Sequence, residues 1–456
     1  MSAAGNNANA SFNFYDLTAK VNYNINAKNT VFLSGYFGRD VFGTSFGFNW
    51  GNGTISSRWN HVFSEKLFMN ATAFYSNYDY LLDSDIENKR PNDSFKWSSN
   101  IENLSFYDDK TYEPKEQISL INKFKHNKII FINGVISKVD IKYEDDTKVL
   151  INNDLDLSNN SNGINPLVSL NHALVSAHIG IIVKENYSLN RPLILYNITT
   201  EDVNSTTLNL RTDIKLEKNS SLKLVTIFDD QSQNNFININ QNFDIAQDSI
   251  LKSYKIDHKT NSNIKYFYNN INLDKNSISE NFIFSTGSKF IKNEVNCNLN
   301  DQYSSAFING VINLKNSQHH EIKTNINHLA ENTKSYQLIK TVLNDKSKGI
   351  YQGKIFVDQK AQKTNGYQLS KALLLNENTE FDGKPELEIY ADDVKCSHGS
   401  TSGNLDEDSI FYLMSRGLSY QQSKELLING FLMDAVEKIT DLEIKNLIKE
   451  MMGVVE

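Results

Sequence analysis

Three rhythms of apolar and polar positions follow one another along the chain. In EKLFMNATAFYSNYDYLL, residues 65–82, Leu67, Met69, Ala71, Ala73 and Tyr75 share one face of a two-residue period, with Phe68, Asn70, Thr72, Phe74, Ser76 and Tyr78 on the other. NTVFLSGYFGRDVFG and GTISSRWNHVFS behave alike, with NAK and SEK at the turns, so residues 1–90 are expected to form long antiparallel strands. From about 125 the runs shorten. KIIFINGVIS, HIGIIVKENYS, PLILYNIT and EVNCNLNDQYSSAFINGVINLK are β-type stretches of four to seven residues between Asn, Asp, Ser and Gly turns. More than 200 residues of this texture, with almost no proline, suit a β-solenoid, although no strict repeat is visible; a β-sandwich is the competing architecture.

After residue 403 the period becomes helical. NLDEDSIFYLMSRG places Ile410, Leu413 and Met414 on one face, with acids at its N-terminus and Gly417 after its end. Ser419 and Gln422 have capping-box spacing, and Leu427, Phe431, Ala435 and Ile439 continue an apolar stripe. Thr440 and Glu443 repeat the device before Ile444, Leu447, Ile448 and Met451. Helices this short bury little surface alone, so they cap the solenoid end or present a face to a partner. Phe411, Met414, Leu427 and Phe431, with Arg416 nearby, are the candidate partner-binding face.

Composition separates the same regions. Residues 1–90 hold 18 of the 50 aromatics and balance seven basic against seven acidic side chains, so the rest carries the whole net charge of −8. That charge argues against a nucleic-acid binder with a basic surface. Long strands with aromatic ends are a signature of transmembrane β-barrels. Residues 12–82, from NFYDLTAKVNYNINAKNTVFLSGYFGRDVFG to HVFSEKLFMNATAFYSNYDY, resemble strands of TonB-dependent outer-membrane receptors. They are too few to close a barrel. The leading residues MSAAGNNANASFNFYD have neither a basic nor an apolar leader segment, and no apolar run is long enough for a spanning helix.

The candidate chemistry is sparse. Cys297 and Cys396 lie too far apart for a local metal-ligand set, and free thiols suit a reducing cytosol. Cys396 and His398 are two residues apart on an expected strand and so share a face, where a thiolate and an imidazole are suitable ligands for iron. A buried cysteine beside a hydrogen-bonded histidine is the structural alternative. Cys297, His172 and His178 read as core or satisfied side chains, YEDDTK (143–148) as a solvated charge run, and AQKT (361–364) as a structural turn. GIYQGKI lacks the spacing of a phosphate-binding loop.

NPLVSLNHAL, GIIVKENYSLNRPLILYNIT, KGIYQGKIFVDQKAQKTNGYQLSKALLLNE, KPELEIYADDVKCSHGSTSGNLDEDSIFYLMSRGLS and KELLINGFLMDAV together resemble the SufD family of iron–sulfur cluster assembly subunits, over residues 125–453. The resemblance implies a right-handed parallel β-helix over 125–402 and a helical domain over 403–456, preceded by the antiparallel segment 1–90 and a junction, 91–124. It further implies a non-catalytic, cytoplasmic scaffold that pairs with SufB through the β-helices and docks the SufC ATPase through the helical domain. No cofactor would be tightly bound. A transient iron–sulfur cluster would meet His398 first and Cys396 second, on the strand 385–398 ahead of a Gly399–Gly403 turn. Three features depart from the family: its usual N-terminal helical region is absent or replaced by the barrel-like piece, Lys289 stands where an Arg is common, and SQHHEIKTNINH gives His319, His320 and His328 with Glu321 in place of the acid. A transporter fragment and a non-functional fusion remain as alternatives.

Overall fold

The computed structural model describes residues 11–26, 28–43, 46–64, 67–84, 95–105, 124–152 and 165–454. The chain divides into two units, 1–111 and 112–456. Most of the junction expected at 91–124 lies outside the described residues.

The first unit is an antiparallel meander of five strands, Ser11–Asn26, Asn29–Gly43, Phe46–Ser64, Leu67–Ser84 and Phe95–Ser105, paired in sequence order. Among the described residues the first strand pairs only with the second and the last only with the fourth, which leaves both edges of the sheet unpaired there. Its register, with Val21 opposite Leu33 and Leu33 opposite Ser57, keeps the alternation of the sequence in phase from strand to strand.

The second unit is a parallel β-solenoid of two facing sheets, ten- and nine-stranded. From Leu193 onward the chain alternates between them, each strand lying parallel to the strand one coil earlier. Ser305 pairs with Lys334, Lys334 with Asn365 and Asn365 with Lys395 in the larger sheet. Phe290, His319, Lys348 and Glu380 follow one another in the smaller. The sandwich is thereby excluded. Strands are mostly ten residues long rather than four to seven, because each coil continues through polar positions that still face the interior or a neighbouring strand.

The repeat that the sequence hid lies in the turns. Asn219, Asp248, Asn276, Tyr303, Asn332 and Lys363 all adopt positive φ, and each is followed by a buried Ser or Thr. Ser220 Oγ donates to the Glu217 carbonyl at 2.6 Å, Ser277 to Asp274 at 2.6 Å, Ser304 to Asp301 at 2.7 Å, Thr333 to Ala330 at 3.1 Å and Thr364 to Ala361 at 2.8 Å. A hydroxyl that closes its own turn stabilises each corner. AQKT is one of these corners, as expected. The charge run 143–148 is not merely solvated: Glu144 accepts from Asn127 Nδ2 (2.7 Å), Tyr187 OH (2.9 Å) and the Asn190 and Arg191 amides (3.0 and 3.1 Å), tying down the loop before Leu193.

Among the described residues four helices complete the unit. α1 (Pro166–Ala173) is capped by Asn165 and packs on the outside of the smaller sheet, where the Asn171 amide donates to the Leu210 and Asn238 carbonyls. α2 (Glu407–Ser415) has Asp406 as N-cap and Gly417 at positive φ beyond its end. α3 (Tyr420–Val436) carries the expected Ser419–Gln422 capping box. α4 (Leu442–Met451) is capped by Asp441 rather than Thr440. Thr440 instead accepts from Lys252 Nζ at 2.6 Å and donates to Glu280 at 2.7 Å, joining the helices to the solenoid.

The C-terminal helices do not cap the solenoid end. Leu432, Ala435, Val436, Ile439, Ile444, Leu447 and Ile448 pack on the outer face of the larger sheet, against Val225, Ile227, Tyr254, Ile256, Phe282 and Phe284. Lys340–Asp434 (2.7 Å) and Lys223–Asp441 (2.5 Å) pin this contact at its polar margins.

Candidate functional site: the open last coil and the helical face

The last coil is formed by Glu380–Ile389 and Lys395–Gly403, which are the terminal strands of the two sheets. Each pairs on one side only, so two parallel rows of backbone donors and acceptors end the solenoid without a partner strand among the described residues. The expected turn at 399–403 is instead the second half of the last strand: Gly399 pairs with Leu369 and Gly403 with Leu373. The glycines and serines there read as a turn because they lack apolar weight. They form a strand because the preceding strand provides an in-register template.

Cys396 and His398 share the inward face of this strand, in register with the buried Gly366 and Gln368. Cys396 is half-buried and packs with Leu387 and Val394 against Ile355, Val357, Ala361 and Ala391. Its Sγ lies 3.3 Å from where a Cβ at residue 366 would be, so glycine there makes room for the thiol. Burial pushes the Cys396 thiol pKa up, which disfavours the thiolate at neutral pH. His398 is exposed, and among the described residues no further coil covers it. Gln368, in register with His398, donates to the carbonyls of Gly353 (3.2 Å) and Glu386 (3.3 Å) and bridges the two sheets under the site. Sequence reading missed Gln368, whose inward position follows only from the register. Among the described residues no three of His, Cys, Asp and Glu converge as a metal site, so Cys396 and His398 offer at most two ligands.

The other candidates lie elsewhere. Cys297 is fully buried, stacked between Ile271 and Ile326, and burial raises its pKa to about 12. His320 is held between Ser285 Oγ (2.9 Å) and the Ser288 carbonyl (2.7 Å), and His328 between Thr333 and Ser335 hydroxyls (2.7 and 2.9 Å). His319 pairs with Glu321 at 3.1 Å, and Lys289 is exposed. His172 meets Asn240 at 3.0 Å, and His178 meets Asp213 through Nε2 at 2.7 Å while its buried Nδ1 has no partner among the described residues. GIYQGKI is interior strand.

The helical candidates divide into two groups. Phe411 and Met414 are 74% and 43% exposed on α2, and Tyr412, Tyr420 and Leu426 extend the same apolar exposure. Arg416 lies over the Tyr412 ring at 5.2 Å and donates to its hydroxyl. Leu427 lines a cleft of about 370 Å³ between α2 and α3, with Asp406, Asp408, Ser409, Tyr412 and Leu413. Phe431 faces the opposite way, half-buried against the larger sheet beneath the Lys340 ammonium at 4.1 Å.

The architecture is that of a two-sheet parallel β-solenoid with α-helices packed on the flank of its larger sheet. Residues 197–431, just over half the chain, match the model of the SUF system FeS cluster assembly SufBD core domain. The chain belongs to this family. The iron–sulfur cluster assembly protein SufD of Escherichia coli is 25% identical over 347 residues, covering 75% of this chain and 82% of that protein. Shorter stretches match a SufBD-family iron–sulfur cluster assembly protein of Synechocystis (45% over 67 residues, 15% of each chain) and the chloroplastic protein ABCI7 of Arabidopsis thaliana (40% over 74 residues, 16% of each). The receptor resemblance of residues 12–82 finds no support in these relatives.

Proposed function

We propose that this chain is a non-catalytic scaffold subunit of a cytosolic iron–sulfur cluster assembly complex. The observation that carries the reading is the open last coil. It offers two unpaired strand edges to another β-helix, and it carries the Cys396–His398 pair that needs further ligands from outside the chain. The partner this geometry suits is a SufB-type β-helix extending both sheets by strand addition. His398 would lend a nitrogen to the nascent cluster, which is cargo rather than a resident cofactor. A nitrogen holds iron less durably than a thiolate, as a site that releases its product requires. Cys396, half-buried with its thiol pKa raised by burial, is the second contributor. α2 and the cleft beside Leu427 would receive the SufC-type ATPase, through Phe411, Met414 and Arg416; Phe431 supports this surface from beneath.

The test separates pairing from chemistry. The Lys395 amide donates back to Thr364 at 2.8 Å, so by alternation the Ser400 amide points to the free edge. Ser400→Pro removes that donor and is expected to abolish co-purification with the SufB-type subunit while the isolated chain keeps its melting temperature. His398→Ala is expected to leave the complex intact and sharply reduce the iron and absorbance that accumulate on it, with Cys396→Ala doing less. A His398→Ala complex that builds cluster like the parent would make CSHGS a structural strand only.

A further inference from the structure

The two edges that the last coil leaves free, among the described residues, differ in kind. In Glu380–Ile389 the Glu380 amide donates back to the Ser347 carbonyl at 3.1 Å, and the Tyr390 amide beyond the strand donates to Val357 at 2.9 Å. Even-numbered amides therefore face the preceding coil, and by alternation the odd-numbered ones face the free edge. One odd position is Pro385, which has no amide hydrogen. It divides the free-edge donors into Phe381 and Gly383 on one side and Leu387 and Ile389 on the other. In Lys395–Gly403 the Lys395 amide donates back to Thr364, so Cys396, His398, Ser400 and Ser402 form an unbroken row.

Side chains sharpen the contrast. Phe381 and Leu387 pack inward, which turns Glu380, Asp382, Lys384, Glu386 and Glu388 outward. All of these are ion-paired: Lys348 with Glu380 (2.5 Å) and Asp382 (3.1 Å), Lys384 with Glu386 (2.7 Å), and Lys354 with Glu388. The outward positions of the other strand are Lys395, Ser397, Gly399, Thr401 and Gly403, small side chains after the first.

We infer that the last coil grips its partner through the edge of the larger sheet, and that Pro385 and the charged row keep the smaller sheet's edge from pairing along its length. The inference rests on the reading of this end as a β-helix docking site, and adds that the two sheets are extended unequally. Proline and charged side chains are devices by which an edge strand refuses a neighbour. A strand laid beside residues 380–389 leaves an acceptor unmatched at Pro385 and has to accommodate ion pairs already made. One laid beside 395–403 finds a continuous row of donors and side chains too small to obstruct it. Cys396 and His398 lie on the gripping strand, so the ladder that holds the partner also fixes both candidate ligands.

Amide hydrogen exchange on the free chain and on its complex with the SufB-type subunit tests this. On complex formation residues 395–403 are expected to gain protection at about four amides, and residues 380–389 at no more than about two. Ser402→Pro breaks the continuous row and should weaken the complex at least about tenfold, whereas Ile389→Pro should change it less than about threefold. Pro385→Ala restores the missing donor and should tighten the complex about two- to tenfold, with added protection in 380–389. Equal protection of the two strands in the parent complex overturns the inference alone and leaves the docking reading in place. So does a complex that tolerates Ser402→Pro but is lost with Ile389→Pro, or one indifferent to Pro385→Ala. Failure of the parent chain to form any complex overturns the docking reading and the inference with it. The exchange comparison needs only the parent chain, so it decides even where a proline variant fails to fold.

Discussion

The two sheets of the solenoid share one interior but meet different surroundings outside it. In the larger sheet, the strand Leu193–Thr199 is buried at every position, and its outer side chains Ile194, Tyr196 and Ile198 belong to the same apolar cluster as the α3 and α4 side chains. In the smaller sheet, Phe290–Leu299 alternates between buried and half-buried, and its outer face carries amide ladders: Asn296 to Asn270 (2.9 Å), Asn298 to Asn272 (2.9 Å) and Asn325 to Asn296 (3.0 Å). The same strand geometry therefore supports two chemistries. A face that gains a helical cover carries Val, Ile, Tyr and Phe. A face without such a cover satisfies itself with hydrogen bonds running from coil to coil.

The largest effect expected from this contrast is at the covered face. Leu432 is fully buried between α3 and the sheet, so Leu432→Asp places a carboxylate in an apolar contact and should cost about 4 kcal/mol or more. Thermal unfolding should show loss of the native transition or a fall well beyond ten degrees. A small change would mean that the helices only rest on the sheet.

Acid should weaken the molecule next. Burial lowers the pKa of His320 to about 4 and of His328 to about 3, both from an ordinary 6.5. Both are neutral in the fold, and the unfolded chain binds more protons below pH 6.5. Their contribution is complete above that pH and is lost as pH falls toward 4 and 3. For His320 alone the loss at pH 4 is on the order of 3 kcal/mol. The stability of His320→Gln, measured by denaturant unfolding, should fall less steeply between pH 6.5 and 4 than that of the parent. Equal slopes would remove the buried imidazole from the account.

Smaller changes distinguish interior from exterior. Cys297→Ser puts a hydroxyl into the stack between Ile271 and Ile326, with an expected cost of roughly 1–3 kcal/mol and no effect on cluster assembly. Asn296→Ala interrupts the exterior ladder, where water can replace the lost partners, and should cost less than about 1 kcal/mol. If the exterior substitution costs more than the interior one, the ladder is part of the structural core.

Much of the architecture was readable in the residues. The β texture from 125, the helical switch after 403, the Ser419–Gln422 box, the acids before α2 and Gly417 after it all agree with the structure. The coil repeat was not, because it resides in a positive-φ residue followed by a Ser or Thr, and the φ-bearing residue is in turn Asn, Asp, Tyr and Lys. The pattern is conformational before it is chemical. The cap at Thr440 failed for a related reason: Asp441 caps the helix one residue later by accepting from the Ile444 amide, and Lys252 and Glu280, far away in sequence, engage the Thr440 hydroxyl. Phe431 and Phe411 look alike in a helical stripe, yet one faces the sheet and the other faces solvent.

By itself the sequence determined the local states: which stretches alternate, where helices begin and end, and that Cys396 and His398 lie on one side of a strand. Those follow from backbone geometry and near-neighbour hydrogen bonds. Only the tertiary structure decided that residues 399–403 extend that strand, that among the described residues no coil covers His398, that Gln368 lies in register with it and that the C-terminal helices pack on the larger sheet. Each of these depends on register between segments about thirty residues or more apart. That register is set by the packing of whole coils, which no short window of sequence contains.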